Sequence, residues 1–449
     1  MKLRRELFDW EKALMARASL YLVGGAVRDL IMGTDEEGYD EDYLIRGLSL
    51  EEAVSILNRY GSSDLVGSSF GVLKFRPYDG STVDIALPRK EYSTGWGHKD
   101  FHVSFSPDIP VEEDLLRRDY TMNSIALDLS SMEMVDPLDG ISDIKNKLMR
   151  VNREESFEED PLRIIRGVQF KYRFNLEVEQ KTWNLMKKYG HLVSSLSGER
   201  VREELNKMML MAENPGDGFE FMNRAGILQY IIPELDETYG IEQNEYHPDD
   251  IFTHSIRSCN LAEPDLLIRW SALLHDIGKK ETKREKNGRI VFYSHEMISE
   301  RKAENVLKRL KFSKSFIREL LHLVRNHMFR ITEECSDSAV RRFVSRVGME
   351  NLENLFALRK ADALSRKDYE SVENIDYIRK RISEIKSDES AFKIEDLDIN
   401  GNEIMELTGL STGRRVGEIL YYLFEKVIED PGLNHNETLK RIVAEKYGE

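Results

Sequence analysis

The sequence predicts a small α/β head, a mixed sheet with helices, followed by an all-α remainder. Strand-like runs at Val72 to Phe75, Thr82 to Leu87 and Ser124 to Asp128 are confined to the first part of the chain. From Ser156 the apolar pattern turns helical and stays so. A chain of 449 residues is also too long for one core, so several domains are expected.

Leu7, Trp10 and Leu14 recur at helical spacing and place an amphipathic helix before the first strand. Leu22-Val23-Gly24-Gly25-Ala26-Val27-Arg28-Asp29 then reads as a buried strand breaking at two glycines into a helix, which brings backbone N–H groups and a helix N-terminus against phosphate. The next strand is read as Tyr39 to Ile45. Side chains alternate along it, so Asp40 and Asp42 share one face and Glu41 takes the other. Two carboxylates aimed together repel unless they share a divalent cation, and oxygen ligands beside phosphate favour Mg²⁺. A phosphate cradle next to metal carboxylates points to phosphoryl or nucleotidyl transfer.

Ser49 and Glu52 form a capping box that opens a helix to about Arg59. Asp84 sits on an otherwise apolar strand, where an unpaired charge is costly; it reads either as a third metal carboxylate or as a partner of Arg89. Glu91 to Pro110 lacks periodicity and reads as a mobile loop over the site. In Glu113 to Asn123, Arg117 and Arg118 can neutralise a triphosphate, and Asp119 can accept from a ribose hydroxyl. Asp136-Pro137-Leu138-Asp139-Gly140 makes a turn that ends the sheet domain. In Glu159 to Arg166, Pro161 sits at the first helical turn, with Asp160, Arg163 and Arg166 on one face; taken alone, that ladder is a surface ion-pair set. Ser197 to Leu205 reads as a supporting charged helix, Pro215 to Gly218 punctuates the helices, and Asn244 to Asp250 is a polar linker.

Beyond the linker, His254, His275-Asp276, His295, His327 and Asp362 are dispersed over helices and are suitable ligands for a divalent transition metal or Mg²⁺. Basic residues cluster at Lys279, Lys280, Lys283, Arg284 and Lys286, and again at Lys308, Arg309, Lys311 and Lys314. They read either as solvated helix faces or as a path for an RNA backbone. Near the C-terminus, glycines flank a helix start beside Arg414 and Arg415, a pattern that admits phosphates. The net charge of −16 argues against indiscriminate nucleic-acid binding, so any RNA contact is local. No apolar run approaches a membrane span and Met1 to Arg5 lacks a signal-peptide stretch, so no membrane partner is expected and the cytoplasm is the default. Cys259 and Cys335 cannot form a zinc cluster by themselves and carry no chemistry in this reading.

The GGAVRD run of residues 24–29, followed by Asp40-Glu41-Asp42, resembles the signature of class II tRNA nucleotidyltransferases (CCA-adding enzymes) and bacterial poly(A) polymerases. Residues 117–123 are close to the family's RRD-x-T-x-N motif, Glu159 to Arg166 resembles its base-reading motif, and Ser197 to Leu205 resembles the next. The His-Asp segment resembles the HD phosphohydrolase domain, whose ligands would fall on His254, His275, Asp276 and Asp362, with His295 and His327 available for a second metal. The C-terminal segment resembles the tail of CCA-adding enzymes, so the likeness spans nearly the whole chain.

The resemblance implies catalytic Asp40 and Asp42 holding Mg²⁺, and nucleotide binding by Gly24, Gly25, Arg28, Arg117, Arg118, Asp119, Asn123, Asp160, Arg163 and Arg166. It implies CTP and ATP as substrates, tRNA as partner, a mobile loop within 91–110 and a flexible junction after Gly140. The domains expected are a nucleotidyltransferase head at 1–150, a helical neck and body at 151–249, an HD domain at 250–375 and an RNA-binding helical tail at 376–449. The same motifs serve a poly(A) polymerase or an enzyme adding only CC or only A. An alternative of another class is an HD-type metal phosphohydrolase with a non-catalytic head, against which the intact Asp40 and Asp42 argue.

Overall fold

A computed structural model describes residues 3, 5–33, 41–66, 71–78, 80, 82–93, 101–244, 249–332, 334–387 and 392–447. The chain forms two compact units, Met1–Glu213 with Gly218–Pro233, and Asn214–Asp217 with Glu234–Glu449.

The first unit is built on a seven-stranded mixed sheet. Its order is Gly61–Val66, Val72–Pro77, Val83–Ala86, Asp42–Arg46, Ser19–Val23, Ala126–Asp128 and Met134–Val135. Only Asp42–Arg46 and Val83–Ala86 pair in parallel. Leu20, Tyr21, Leu22 and Val23 are all buried, as a continuous apolar strand covered on both faces should be. On one face the helix Asp9–Met15 inserts Trp10, whose ring meets Tyr43 and Phe75 edge-on at 5.2 and 5.3 Å. On the other, Val111 and Leu115 of the helix Val111–Leu116 pack with Tyr21, Val23, Leu44 and Ala126.

The Ser49–Glu52 capping box forms as expected and opens the helix Leu50–Leu57. The second strand is described as Asp42–Arg46; Tyr39 and Asp40 lie outside the described residues. The aperiodic stretch 91–110 holds a hairpin, Arg89–Ser93 against Phe101–Phe105, with 94–100 outside the described residues. After the turn at Asp136 the chain continues into the helix Gly140–Lys145, held because the Asp136 carboxylate accepts from the backbone N–H groups of Gly140 and Ile141.

The expected one-face ladder of Asp160, Arg163 and Arg166 is corrected by the structure. Asp160 is extended (φ −142°, ψ 98°) between the short helix Ser156–Glu159 and the helix Leu162–Arg173. Its carboxylate instead accepts from the N–H of Leu162 and pairs with Arg200 at 3.2 Å, where Ser197 caps the helix Gly198–Met211.

The second unit is mainly helical. Asp250, Asp265, Ser313 and Ser336 each cap a helix start by accepting from a backbone N–H three residues on. One core gathers Phe343, Leu355, Phe356 and Ile378; a separate one in the tail gathers Ile404, Leu423, Phe424 and Leu439. Among the described residues no helix is long and apolar enough to cross a membrane.

Candidate active site and candidate metal centre

In the first unit, a cleft of about 220 Å³ opens where the first strand ends at Val23, lined also by Asp42, Asp84, Arg117 and Arg118. Gly24 has φ +69° and ψ −132°, a conformation open to glycine and strained for other residues. A Cβ placed there would stand 3.0 Å from a terminal nitrogen of Arg118 and 3.8 Å from an Asp42 oxygen, so cation, glycine turn and carboxylate meet at one point. Asp42 and Asp84 are direct partners across the two parallel strands and therefore share a face. Asp84 forms no ion pair among the described residues, and the expected alternative, a pair with Arg89, is not found.

The arginines are held by a residue that the sequence reading passed over. Asp114, fully buried, accepts from Arg117 through Nε and a terminal nitrogen at 2.9 and 2.7 Å, from Arg118 in the same way at 3.2 and 3.1 Å, and from the backbone N–H of Arg89 at 3.2 Å. Burial alone would raise its pKa; Arg118 and Arg117 hold it below the usual carboxylate range. The i,i+3 and i,i+4 spacing of Asp114 to the two arginines was the available signal.

Arg28, Asn123, Asp119 and Arg166 form a second, inward-facing chain. Arg28 donates to Asn123 at 2.8 Å and to Asp29 at 2.8 Å, with its guanidinium 4.4 Å from the Phe174 ring centroid. Asn123 donates to Asp119 at 3.0 Å, which also accepts from the Tyr120 N–H and from Arg166 at 2.8 Å. Burial opposes the charge on Asp119, and Arg166 together with Asn123 nevertheless keeps its pKa low. These four residues tie the helix Leu162–Arg173 to the glycine turn. Arg163 is buried, donating to Glu159 at 3.2 Å and to the Arg117 carbonyl at 2.9 Å. Of the base-reading candidates, Arg163 thus reaches the arginine turn through the backbone.

In the second unit, all six expected ligands converge. His254 stands on the helix Ile251–Leu261; His275 and Asp276 follow Leu266–Leu274; His295 opens His295–Arg309; His327 ends Lys314–Asn326; Asp362 lies on Leu352–Ser365. Gly278 makes the convergence possible, since a Cβ there would sit 2.4 Å from the Ser299 nitrogen and 2.7 Å from the His295 carbonyl.

Asp276 is central. One oxygen lies 3.3 and 3.2 Å from His254 and His275 Nε2, the other 3.1 and 3.6 Å from His295 and His327 Nε2. Asp362 stands 3.2 Å from His254. Each Nδ1 is already used: by the Ser365 hydroxyl on His254, and by the carbonyls of Ala272, Phe292 and Val324 on His275, His295 and His327. That anchoring fixes the protonated nitrogen of His275, His295 and His327 as Nδ1 and turns the Nε2 lone pairs inward. Nε2 atoms then face each other at 3.2 Å in the pairs His254–His275 and His295–His327, and the buried Asp276 Oδ1 accepts no hydrogen bond.

Two overlapping groups of side chains that could each hold a metal ion are present, His254–His275–Asp276 and Asp276–His295–His327, and inward-turned imidazole lone pairs beside a carboxylate suit a divalent cation. Burial pushes His327 down to about 4, which favours its neutral, ligating form near pH 7. Lys279 reaches Asp276 at 2.5 Å and Gln243 at 2.8 Å.

An α/β head with an acidic pair facing a glycine turn and clamped arginines, ahead of helices carrying a separate His–Asp cluster, is the arrangement of a nucleotide-transferring enzyme. The chain belongs to the tRNA nucleotidyltransferase and poly(A) polymerase family. Residues 20–150 match the poly A polymerase head domain, 175–239 the probable RNA and SrmB-binding site of polymerase A, and 282–443 a putative tRNA nucleotidyltransferase domain 2. The A-adding tRNA nucleotidyltransferase of Deinococcus radiodurans is 30% identical over 419 residues, covering 90% of each chain. The multifunctional CCA protein of Actinobacillus pleuropneumoniae is 35% identical over 309 residues, 66% of this chain and 71% of the relative. The CCA-adding enzyme of Bacillus stearothermophilus, solved in complex with CTP, shares the fold with a TM-score of 0.68 at 20% identity, covering 97% of this chain and 95% of that one.

Proposed function

We propose that the protein adds CMP and AMP, from CTP and ATP, to the 3′ end of tRNA, building or repairing its terminal CCA and releasing pyrophosphate. The observation that carries this reading is the registered Asp42–Asp84 pair facing Arg118 across the Gly24 turn. Asp42, with Asp40 and Asp84, would hold Mg²⁺, which when bound lowers the pKa of the attacking hydroxyl and stabilises the leaving oxygens. The chain's own groups do the rest. Gly24 and Gly25 let the backbone approach the triphosphate, Arg117 and Arg118 neutralise it while Asp114 fixes their direction, and the Arg28–Asn123–Asp119–Arg166 chain holds the next helix in place.

For base choice, Asp160 only accepts and Arg163 only donates. Cytosine and adenine each pair an amino donor with a ring-nitrogen acceptor and fit that set; uracil and guanine present the reverse. In this reading residues 1–150 are the head, 151–249 the neck and body, 250–375 an HD domain and 376–449 the RNA-binding tail. The His–Asp centre, with ligands His254, His275, Asp276, His295, His327 and Asp362, is a separate divalent-metal phosphohydrolase site.

A second reading, addition of A alone, is favoured by the name of the relative that matches 90% of the chain. Incubation with tRNA ending before, within and after the CC step, one labelled nucleotide at a time, separates the two. CMP incorporation at the first two positions supports CCA addition. AMP incorporation only after CC supports the second reading.

A further inference from the structure

The basic stretch after Lys279 folds into an exposed hairpin, Arg284–Lys286 against Arg289–Val291, closed by Asn287-Gly288. Both of its ends are fixed on the His–Asp centre. It leaves the centre at Lys279, whose ammonium group contacts Asp276, and it returns at Phe292, whose carbonyl accepts from His295 Nδ1 at 2.8 Å. Lys280 is already neutralised by Glu237. Lys283, Arg284 and Lys286, by contrast, form no ion pair among the described residues, in a chain whose net charge is −16. Behind the turn stands Tyr293, 64% exposed, with the Lys286 ammonium 5.6 Å from its ring centroid.

Unpaired cations concentrated in an acidic protein attract a polyanion locally. A flat exposed aromatic beside a cation adds a stacking surface that an unpaired base fills whatever its identity. We propose that this hairpin docks the unpaired, phosphate-bearing 3′ end of an RNA strand beside the His–Asp centre. Lys283, Arg284 and Lys286 contact successive phosphates, and Tyr293 stacks a terminal base. This rests on the reading of that centre as a phosphohydrolase and names its substrate class as RNA ends rather than free nucleotides.

The test uses the full chain and a 5′-labelled hexanucleotide RNA with a 3′-terminal phosphate and a 4-thiouridine at its last position. The variant carries Lys283→Gln, Arg284→Gln and Lys286→Gln; a second variant carries Tyr293→Ala. With EDTA present, the parent crosslinks to the peptide spanning residues 283–293. The triple variant loses that crosslink, and its plot of log affinity against log salt flattens by about 2, as expected for three lost contacts to a single strand. Tyr293→Ala weakens binding about tenfold or more at unchanged salt slope. Metal content and hydrolysis of a small aryl phosphate stay at the parent's level in both variants. Unchanged slope and affinity, or a crosslink elsewhere in the chain, overturns the docking role. If the parent neither holds metal nor cleaves the aryl ester, the phosphohydrolase reading fails, while crosslink and slope still decide whether the hairpin binds RNA.

Discussion

Asp114→Asn isolates the arginine clamp without removing either arginine. The carboxylate accepts four guanidinium bonds and one backbone bond. An amide in its place keeps one accepting oxygen and presents an N–H₂ group to the guanidinium it faces, so one bidentate pair is lost and a donor opposes a donor. Bonds to charged groups are worth about 1.5–3 kcal/mol each, and breaking a buried pair costs about 3–5 kcal/mol. Because the Arg117 and Arg118 side chains keep 14% and 19% of their exposure, water recovers part of that loss, and about 3 kcal/mol is expected. The released arginine moves by an ångström or more at the cleft, for which a fall of about 100-fold in kcat/KM for CTP is the expected scale. Urea unfolding and single-nucleotide incorporation on the same preparation measure both. A variant that loses the stability yet stays within twofold of the parent in kcat/KM would show that Arg117 and Arg118 do not seat the triphosphate. The acid limb gives a further check. The folded pKa of Asp114 lies below the unfolded value of about 3.9, so its contribution is complete above that range and is lost as pH falls through the folded value. The parent should therefore lose stability more steeply than Asp114→Asn on acidification below about pH 4.

Gly24→Ala forces a side chain into a positive-φ turn and against Arg118; a loss of about 1–3 kcal/mol is expected, together with a higher KM for both nucleotides, read by thermal melting and steady-state kinetics. His275→Ala with Asp276→Ala should abolish metal binding by the second unit and any hydrolysis supported by Mn²⁺, Co²⁺ or Ni²⁺, while nucleotide addition continues; loss of addition in a folded double variant would refute the independence of the two sites. Asp160→Ala with Arg163→Ala should admit UTP or GTP about 10–100-fold more readily relative to CTP, at lower total activity, since each mismatched buried group costs about 1–3 kcal/mol. Single-nucleotide incorporation checks this, and an unchanged preference would leave the Asp160–Arg200 and Arg163–Glu159 contacts as structural only.

Features written in neighbouring residues were legible in the sequence: the break at Gly24, the capping box of Ser49 and Glu52, and the alternation that sets Asp42 on one face. Contacts made by folding were not. Asp114 follows Glu112 and Glu113, and although only Asp114 has i,i+3 and i,i+4 spacing to the two arginines, nothing in three consecutive acids tells that it is buried. The strands Arg89–Ser93 and Phe101–Phe105 escaped notice because glycine, serine and aromatics between them blur the two-residue period. The six ligands spread from His254 to Asp362 had no spacing that places them together. Only the resemblance joined them, and the structure supplies the reason, in the Gly278 turn that lets two helix ends meet.

The placement of Asp160 on that helix face failed for a more instructive cause. Spacing put it on a helix face with Arg163, but helical spacing holds only inside a helix, and Pro161 begins one with Asp160 still extended outside it. The acceptor and the donor of the proposed base-reading set therefore stand on different supports. Arg200 holds Asp160 from the helix Gly198–Met211, and the Arg117 carbonyl holds Arg163 at the arginine turn. A movement of one support changes the spacing between the two groups without breaking either element. Under the proposed base-reading role, that freedom would let one acceptor–donor set accommodate a pyrimidine and then a larger purine, which a pair fixed on a single helix face could not do.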